Sequence, residues 1–409
     1  MAHKLAQVLG RSRVAWVAAV LVAVLGLCAA PAVASASTKP VPFGFVGMDV
    51  DLPTWPNPGI DLSQQLDVMV ASGVDSVRAV IDWSVAQPYE SWSQVPADQQ
   101  SDFVDVDGIP TNFTESDALV AATAQDGLAL LPVVMNAPSW DGMTFPAGIV
   151  MVPRSPGPYA AFLKALVLRY GPNGTFWQQN PQIPKVPVRM WQIWNEPNVY
   201  PFWPQSPRPF YVGYVSLLRA AHAAIKQADP GVKVVLAGLP NYSWIDLRRI
   251  VKHGGRNQFD IAAVHPYTKT PQGVITILTY VRQVLDQNGE ARTPILADEI
   301  SWGSSLHKGG GPGRVGLDIA TTEAGQARKL GELLPLLQRD RHRLDLAGFD
   351  YYNWAGEEQP GSIVFDFSGL FRLSDYQFFA KPAYYVFRAD ALSMEGCRSK
   401  GTLATECLH

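Results

Sequence analysis

Two carboxyl groups in this chain stand where apolar runs stop. Residues 191–198 read Trp-Gln-Ile-Trp-Asn-Glu-Pro-Asn; they end a strand-like stretch, and Pro197, which has no N–H, prevents the ladder from continuing. Glu196 is therefore held rigidly on its inner side and open on its outer side, the setting an acid/base group needs. The second carboxyl, Glu299, closes the short run Ile295-Leu296-Ala297-Asp298-Glu299. Asp298 is its neighbour, and neighbours on a regular strand point to opposite faces, so one of the two is expected to face the centre. Two carboxyls facing each other across a bond can act as proton donor and nucleophile, the pairing that acetal cleavage requires.

The wording of both strand ends resembles clan A of the glycoside hydrolases and reads most like its family 39 and family 5 branches. The resemblance runs over nearly all of residues 42–392. It implies a (β/α)8 TIM barrel with long loops after the strands, and a retaining O-glycosyl hydrolase with Glu196 after the fourth strand as acid/base and Glu299 after the seventh as nucleophile. It also selects Glu299 over Asp298. Further substrate-binding positions follow residue by residue: Asn195 toward the sugar 2-hydroxyl, Arg78 on the second strand, His265 and Tyr267 in His265-Pro266-Tyr267, and Trp354 after the eighth strand. Asn136 stands where many clan members carry His, which bears on the substrate more than on the chemistry. Trp140 and Trp302 join Trp55, Trp83, Tyr200, Trp203 and Trp244 as loop aromatics able to stack on sugar rings. A transglycosidase using the same two Glu, or a non-catalytic carbohydrate-binding barrel, are the alternatives.

The chemistry requires opposite protonation states at neutral pH. Glu196 must hold a proton for the leaving oxygen, and Glu299 must be ionised to attack the anomeric carbon. Arg78 would favour that anion, and Tyr267 could hydrogen-bond it. No metal and no other cofactor is expected, because the chain has seven His and no His-x-His at a strand end.

The elements that must position these groups alternate along the chain. Strands are expected at 42–48, 74–81, 128–135, 186–194, 232–239, 259–265, 295–299 and 344–352. Helices are expected at 62–72 (capped by Asp61), 115–125, 159–170, 210–227, 244–253, 274–285, 320–337 and 381–392. Near-continuous apolar strands suit a parallel sheet covered on both faces. The first strand carries no Gly-x-Gly-x-x-Gly, and the longer insertions follow strand ends, which favours a closed barrel over an open doubly wound sheet. The polar insertion 84–112 reads as loop, and the Gly-rich stretch 308–313 as a lip over the site.

A chain of 409 residues, 47% hydrophobic and 17% charged, can bury one large core. A formal net charge of −3 offers no basic surplus for nucleic acid. Lys4, Arg11 and Arg13, an apolar run over 14–30 and small residues near 32–36 read as a secretory signal peptide, residues 1–36, with an uncleaved membrane anchor as the alternative. The organisation expected is signal 1–36, linker 37–41, catalytic domain 42–393 and tail 394–409, secreted, without membrane contact once the signal is removed, and monomeric. Removal of the signal leaves two cysteines, Cys397 and Cys407, expected to form a structural disulfide in an oxidising compartment. The partner expected is a carbohydrate substrate.

Overall fold

The computed structural model describes residues 40–51, 54–143, 151–308, 319–359 and 361–409. The expected signal, most of the linker, and most of the Gly-rich lip lie outside these residues. Eight parallel strands form one sheet: β1 Val46–Val50, β2 Ser76–Asp82, β3 Ala129–Met135, β4 Met190–Ile193, β5 Lys233–Val235, β6 Ala262–Val264, β7 Ile295–Ile300 and β8 Leu346–Tyr351. Their spatial order is β5-β4-β3-β2-β1-β8-β7-β6. The β5/β6 seam is bridged at Val235–Ile261 and Leu239–Val264, where Leu236 N–H donates to Ile261 C=O at 2.9 Å and His265 N–H to Leu239 C=O at 3.1 Å. The ring is thus a nearly closed (β/α)8 barrel, as the alternation predicts.

Helices fill every crossover: α1 Leu62–Ala71, α2 Thr114–Gln125, α3 Pro156–Tyr170, α4 Phe210–Ala228, α5 Ser243–Ile250, α6 Pro271–Gln287, α7 Glu323–Leu344 and α8 Pro382–Glu395. Asp61 caps α1 by accepting from Gln64 N–H. The main apolar core lies where these helices meet the barrel wall. A second apolar cluster, Leu131, Val235, Ile261, Ala263 and Leu296, comes from the strands alone. Leu131 pairs with Arg78 across β2–β3, and Ala263 with Leu296 across β6–β7.

Several strands are shorter or shifted relative to expectation. β1 begins at Val46, because Pro42 to Gly44 form a turn that Gly44 completes at φ +84°. β4 spans four residues, because Trp194 at φ +72° leaves the ladder. β8 starts later because α7 runs on to Leu344 and ends at a left-handed Asp345. The insertion 84–112 is more than loop: it holds a helical turn, Trp83–Ala86, and a hairpin, Val104–Val106 with Ile109–Thr111, whose Asp107-Gly108 turn has both φ positive. At the opposite end of the barrel, Cys397 and Cys407 are disulfide-bonded, and within the loop they close, Lys400 bonds Asp75, Glu395 and the Ala404 carbonyl.

Candidate active site

Glu196 is presented by a backbone that has just left β4. Trp194 and Glu196 both adopt left-handed φ values, +72° and +42°, which a non-glycine residue holds only under constraint. The constraint is visible. Trp194 N–H donates to Val134 C=O, its indole N–H to Phe202 C=O at 3.0 Å, and Glu196 N–H to Gly238 C=O at 3.2 Å. Trp191 and Trp194 are wholly buried, so the two Trp of the motif pack the wall and leave the half-buried Glu196 as its reactive group.

Glu299 arrives through an irregularity. Between the pairs Ala297–Phe349 and Ile300–Tyr351, β7 contributes one more residue than β8, a bulge centred on Asp298 and Glu299. Both carboxyls consequently turn inward. This corrects the expectation that one of the two faces away, since strict alternation fails where a bulge inserts a residue. Tyr267 donates its hydroxyl proton to Glu299 Oε2 at 2.8 Å, and Arg78 Nη1 donates to Oε1 at 3.0 Å. Asp298 lies deeper, accepting from Gln192 Nε2 at 2.5 Å, with Arg78 Nε 3.4 Å away.

Arg78 is the hub of this layer. Besides Glu299, its guanidinium reaches Asp49 Oδ1, Gln192 Oε1 and Asn195 Oδ1, each at 2.8 Å. The Asn195 contact fixes the residue before Glu196. Opposite Arg78, the buried His265 places Nδ1 2.7 Å from Glu196 Oε1 and 3.3 Å from Glu299 Oε2, with Nε2 3.5 Å from Asp298 Oδ2. Room for the ring is made by Gly238: a Cβ there would stand 1.8 Å from Nε2. Gly47 acts likewise at β1, where a Cβ would fall 2.0 Å from Asp350 Oδ1.

These neighbours decide the charges. Burial opposes a charge on His265, but Glu299, Asp298 and Glu196 outweigh it and raise its pKa well above the ordinary imidazole value, which favours the charged ring. Burial also pushes Asp298 up, yet His265, Arg78 and Gln192 overcome it, and its carboxyl sits below the usual value. For Glu299 burial wins: it is raised despite the pull of His265 and Arg78. Burial holds Asp49 and Asp350 well above the usual carboxylate range, Arg78 notwithstanding, which keeps the interior from collecting uncompensated anions.

Of the residues proposed from sequence, Glu196, Glu299, Asn195, Arg78, His265 and Tyr267 converge in this one network. Asn136 is adjacent: at φ +62° after β3, it donates from Nδ2 to Asp82 Oδ2 at 2.6 Å. Trp140 stands on the rim, half-buried, with its indole N–H on Gln87 C=O. Trp302 and Trp354 are wholly buried, their indole N–H groups on Thr268 C=O and Gln65 Oε1, and neither exposes a ring face. Sequence reasoning weighed Asp298 and set it aside, and it missed Asp49, Gln192, Asp350 and Gly238. A polar residue inside an otherwise apolar strand was the available signal for Asp49, Gln192 and Asp350. Among the described residues, Glu196, His265 and Glu299 bring ligand atoms within 4.8 Å of one another.

No protein-family model and no curated protein matches the chain. Solved structures do. A family 39 glycoside hydrolase from the gut symbiont Bacteroides cellulosilyticus WH2 aligns at TM-score 0.58 and 18% identity over 87% of this chain and 64% of that one. A monomeric beta-xylosidase from Caulobacter crescentus CB15 aligns at 0.59 and 18% over 85% and 68%. A glucosidase from Croceicoccus marinus aligns at 0.60 and 17% over 88% and 69%. The chain thus spans about two thirds of the length of each. At these identities the likeness is one of fold: the chain is built on the (β/α)8 barrel that these glycoside hydrolases share.

Proposed function

We propose that this protein is a retaining glycoside hydrolase of clan A, cleaving an O-glycosidic bond by double displacement. The observation that carries this reading is the carboxyl pair: a Glu196 oxygen lies within 4.8 Å of a Glu299 oxygen across the mouth of the barrel. An inverting enzyme needs carboxyls about 6.5–9.5 Å apart to admit water, whereas direct attack calls for about 5–5.5 Å. Glu299, steadied by Tyr267 and Arg78, attacks the anomeric carbon while Glu196 gives its proton to the departing oxygen. The glycosyl ester neutralises Glu299; Glu196, now a carboxylate, takes a proton from the water that hydrolyses the ester. The solved structures of like fold are described as a glycoside hydrolase, a xylosidase and a glucosidase, which agrees with a carbohydrate substrate. The basic and apolar N-terminal sequence supports export of the chain, with the enzyme acting outside the cell as a monomer.

The test is a screen of 4-nitrophenyl glycosides and polysaccharides with the mature chain, beside Glu196→Gln and Glu299→Gln. Turnover abolished in Glu299→Gln, with Glu196→Gln most damaging for poor leaving groups and a product of unchanged anomeric configuration by NMR, supports the reading. Inverted product, or turnover unaffected by either change, rejects it.

A further inference from the structure

The β7 bulge brings a third carboxyl, Asp298, into the site, and the double displacement has no use for it. It is completely buried, and one of its oxygens, Oδ1, has no hydrogen-bond partner. Its other oxygen is placed among Gln192 Nε2 at 2.5 Å, Arg78 Nε at 3.4 Å and His265 Nε2 at 3.5 Å. The far side of the His265 ring carries Nδ1, 2.7 Å from Glu196 and 3.3 Å from Glu299. His265 Nε2 makes no hydrogen bond, so Asp298 faces the ring as a charge at ion-pair distance, and Asp298, His265 and Glu196 form a carboxyl–imidazole–carboxyl line. A solvent-exposed strand acid would not be buried, fixed by an amide from β4 and aimed at an imidazole.

We propose that Asp298 is a positioning residue that acts through His265: its fixed negative charge faces Nε2 and holds the ring with Nδ1 between Glu196 and Glu299. This rests on the hydrolase reading of the same site. The charged and titratable groups facing the ring are Glu196 after β4, Tyr267 after β6, Asp298 and Glu299 on β7, and, on the far side of the carboxyls, Arg78 on β2 and Asp350 on β8. β5 faces it with Gly238, which is uncharged. Glu299 shares in holding the imidazolium, but it is the group that becomes an ester, and its charge vanishes midway through the reaction. Asp298 keeps its charge throughout. The imidazolium can therefore persist in the intermediate, where it meets the newly formed Glu196 carboxylate with a charge-assisted hydrogen bond. No proton leaves His265 in this scheme; Glu196 alone gives and regains one.

Asp298→Asn preserves the shape and removes the charge. The anion facing His265 Nε2 is then lost, so the ring gives up its second proton at lower pH, and the Nδ1 contact with Glu196, 2.7 Å in wild type, is no longer held by a charged ring. The kcat at the optimum therefore falls.

The experiment reads the ring directly and then the rate. In 15N-histidine-labelled protein, with the His265 signals identified by their loss in His265→Gln, wild type is expected to show both ring N–H groups at pH 7. In Asp298→Asn the titration midpoint is expected to fall by about one pH unit or more. The pH profile is then measured on the 4-nitrophenyl glycoside found in the screen. A neutral His265 in wild type at pH 7 overturns the proposal without any variant. So does a folded Asp298→Asn whose His265 ring titration matches wild type, even if it is slower, because a purely structural role lowers activity without moving that titration. The NMR arm needs no substrate, so absence of turnover would count against the hydrolase reading alone.

Discussion

Replacing Gly238 with Ala should disable the site from a residue that bears no functional group. The added Cβ would lie 1.8 Å from His265 Nε2, 2.4 Å from Cδ2 and 2.7 Å from Cε1, against an ordinary contact of 3.4 Å or more. The ring must retreat by about 1.6 Å, the difference between the first and last of those distances. A shift of that size disturbs the 2.7 Å contact between Nδ1 and Glu196 whichever way the ring moves. Displacing the buried ring from its ion-pair contacts with Asp298 and Glu299 costs about 3–5 kcal/mol, and a misplacement of about 1 Å at a reacting group costs roughly 10²-fold in rate. Gly238→Ala should therefore lose about 100-fold in kcat/KM on the glycoside found in the screen, and its Tm should fall by roughly 4–6 °C. Gly157→Ala is the control: its Cβ would meet only Ser155 Oγ at 3.7 Å, and it should change neither. A Gly238→Ala protein within threefold of wild-type kcat/KM would show that His265 is not held where the reaction needs it.

Two further outcomes are expected. Glu299 must be ionised to attack, and burial raises its pKa above the ordinary 4.5 despite His265 and Arg78; the rate is fully present above that raised value and lost as pH falls through it, so the acidic limb of kcat/KM should lie above pH 4.5. A limb at or below 4.5 in an otherwise stable protein contradicts this ordering of burial over ion pairing. Reduction of Cys397–Cys407, which closes a loop of sequence separation 10, should cost about 3 kcal/mol or less. The loop docks at the strand starts, Ala404 N–H on Asp126 C=O and Lys400 on Asp75, so a reductant should lower the Tm while leaving kcat at 25 °C unchanged; an equal Tm with and without reductant rejects the clamp.

What could be read from the sequence, and what could not, divides along a physical line. Apolar runs ending at Glu196 and Glu299 located two strand ends, because burial of a strand on both faces leaves a one-dimensional trace. The alternation of eight such runs with helices then supplied the barrel, whose strands β1, β4, β5, β6 and β8 came out shifted or shorter. Those boundaries depend on φ at single residues, Gly44, Trp194 and Asp345, and on where neighbouring strands offer partners. The bulge at Asp298–Glu299 is a relation between β7 and β8, so β7 alone carries no sign of it, and the alternation rule, with the resemblance selecting Glu299, left Asp298 on the wrong face. Trp302 and Trp354 illustrate the reverse limit. Their chemistry suits a sugar ring equally whether they lie in a cleft or in the wall, and only the packing around Thr268 and Gln65 places them in the wall. Gly238 was silent for a third reason: its contribution is the volume it leaves empty, and that volume has meaning only once His265, 27 positions further on, is known to occupy it. The reactive groups of this site are thus legible as residue types, whereas the proton placement among them is a property of the inward layer of Asp49, Arg78, Gln192, His265, Asp298 and Asp350, assembled from six strands. A search for sequences sharing only the two Glu motifs would miss that layer. If proton placement does depend on it, exchanging Asp298 or Gly238 should alter the pH profile of the enzyme more than exchanging any of the exposed aromatics at its rim.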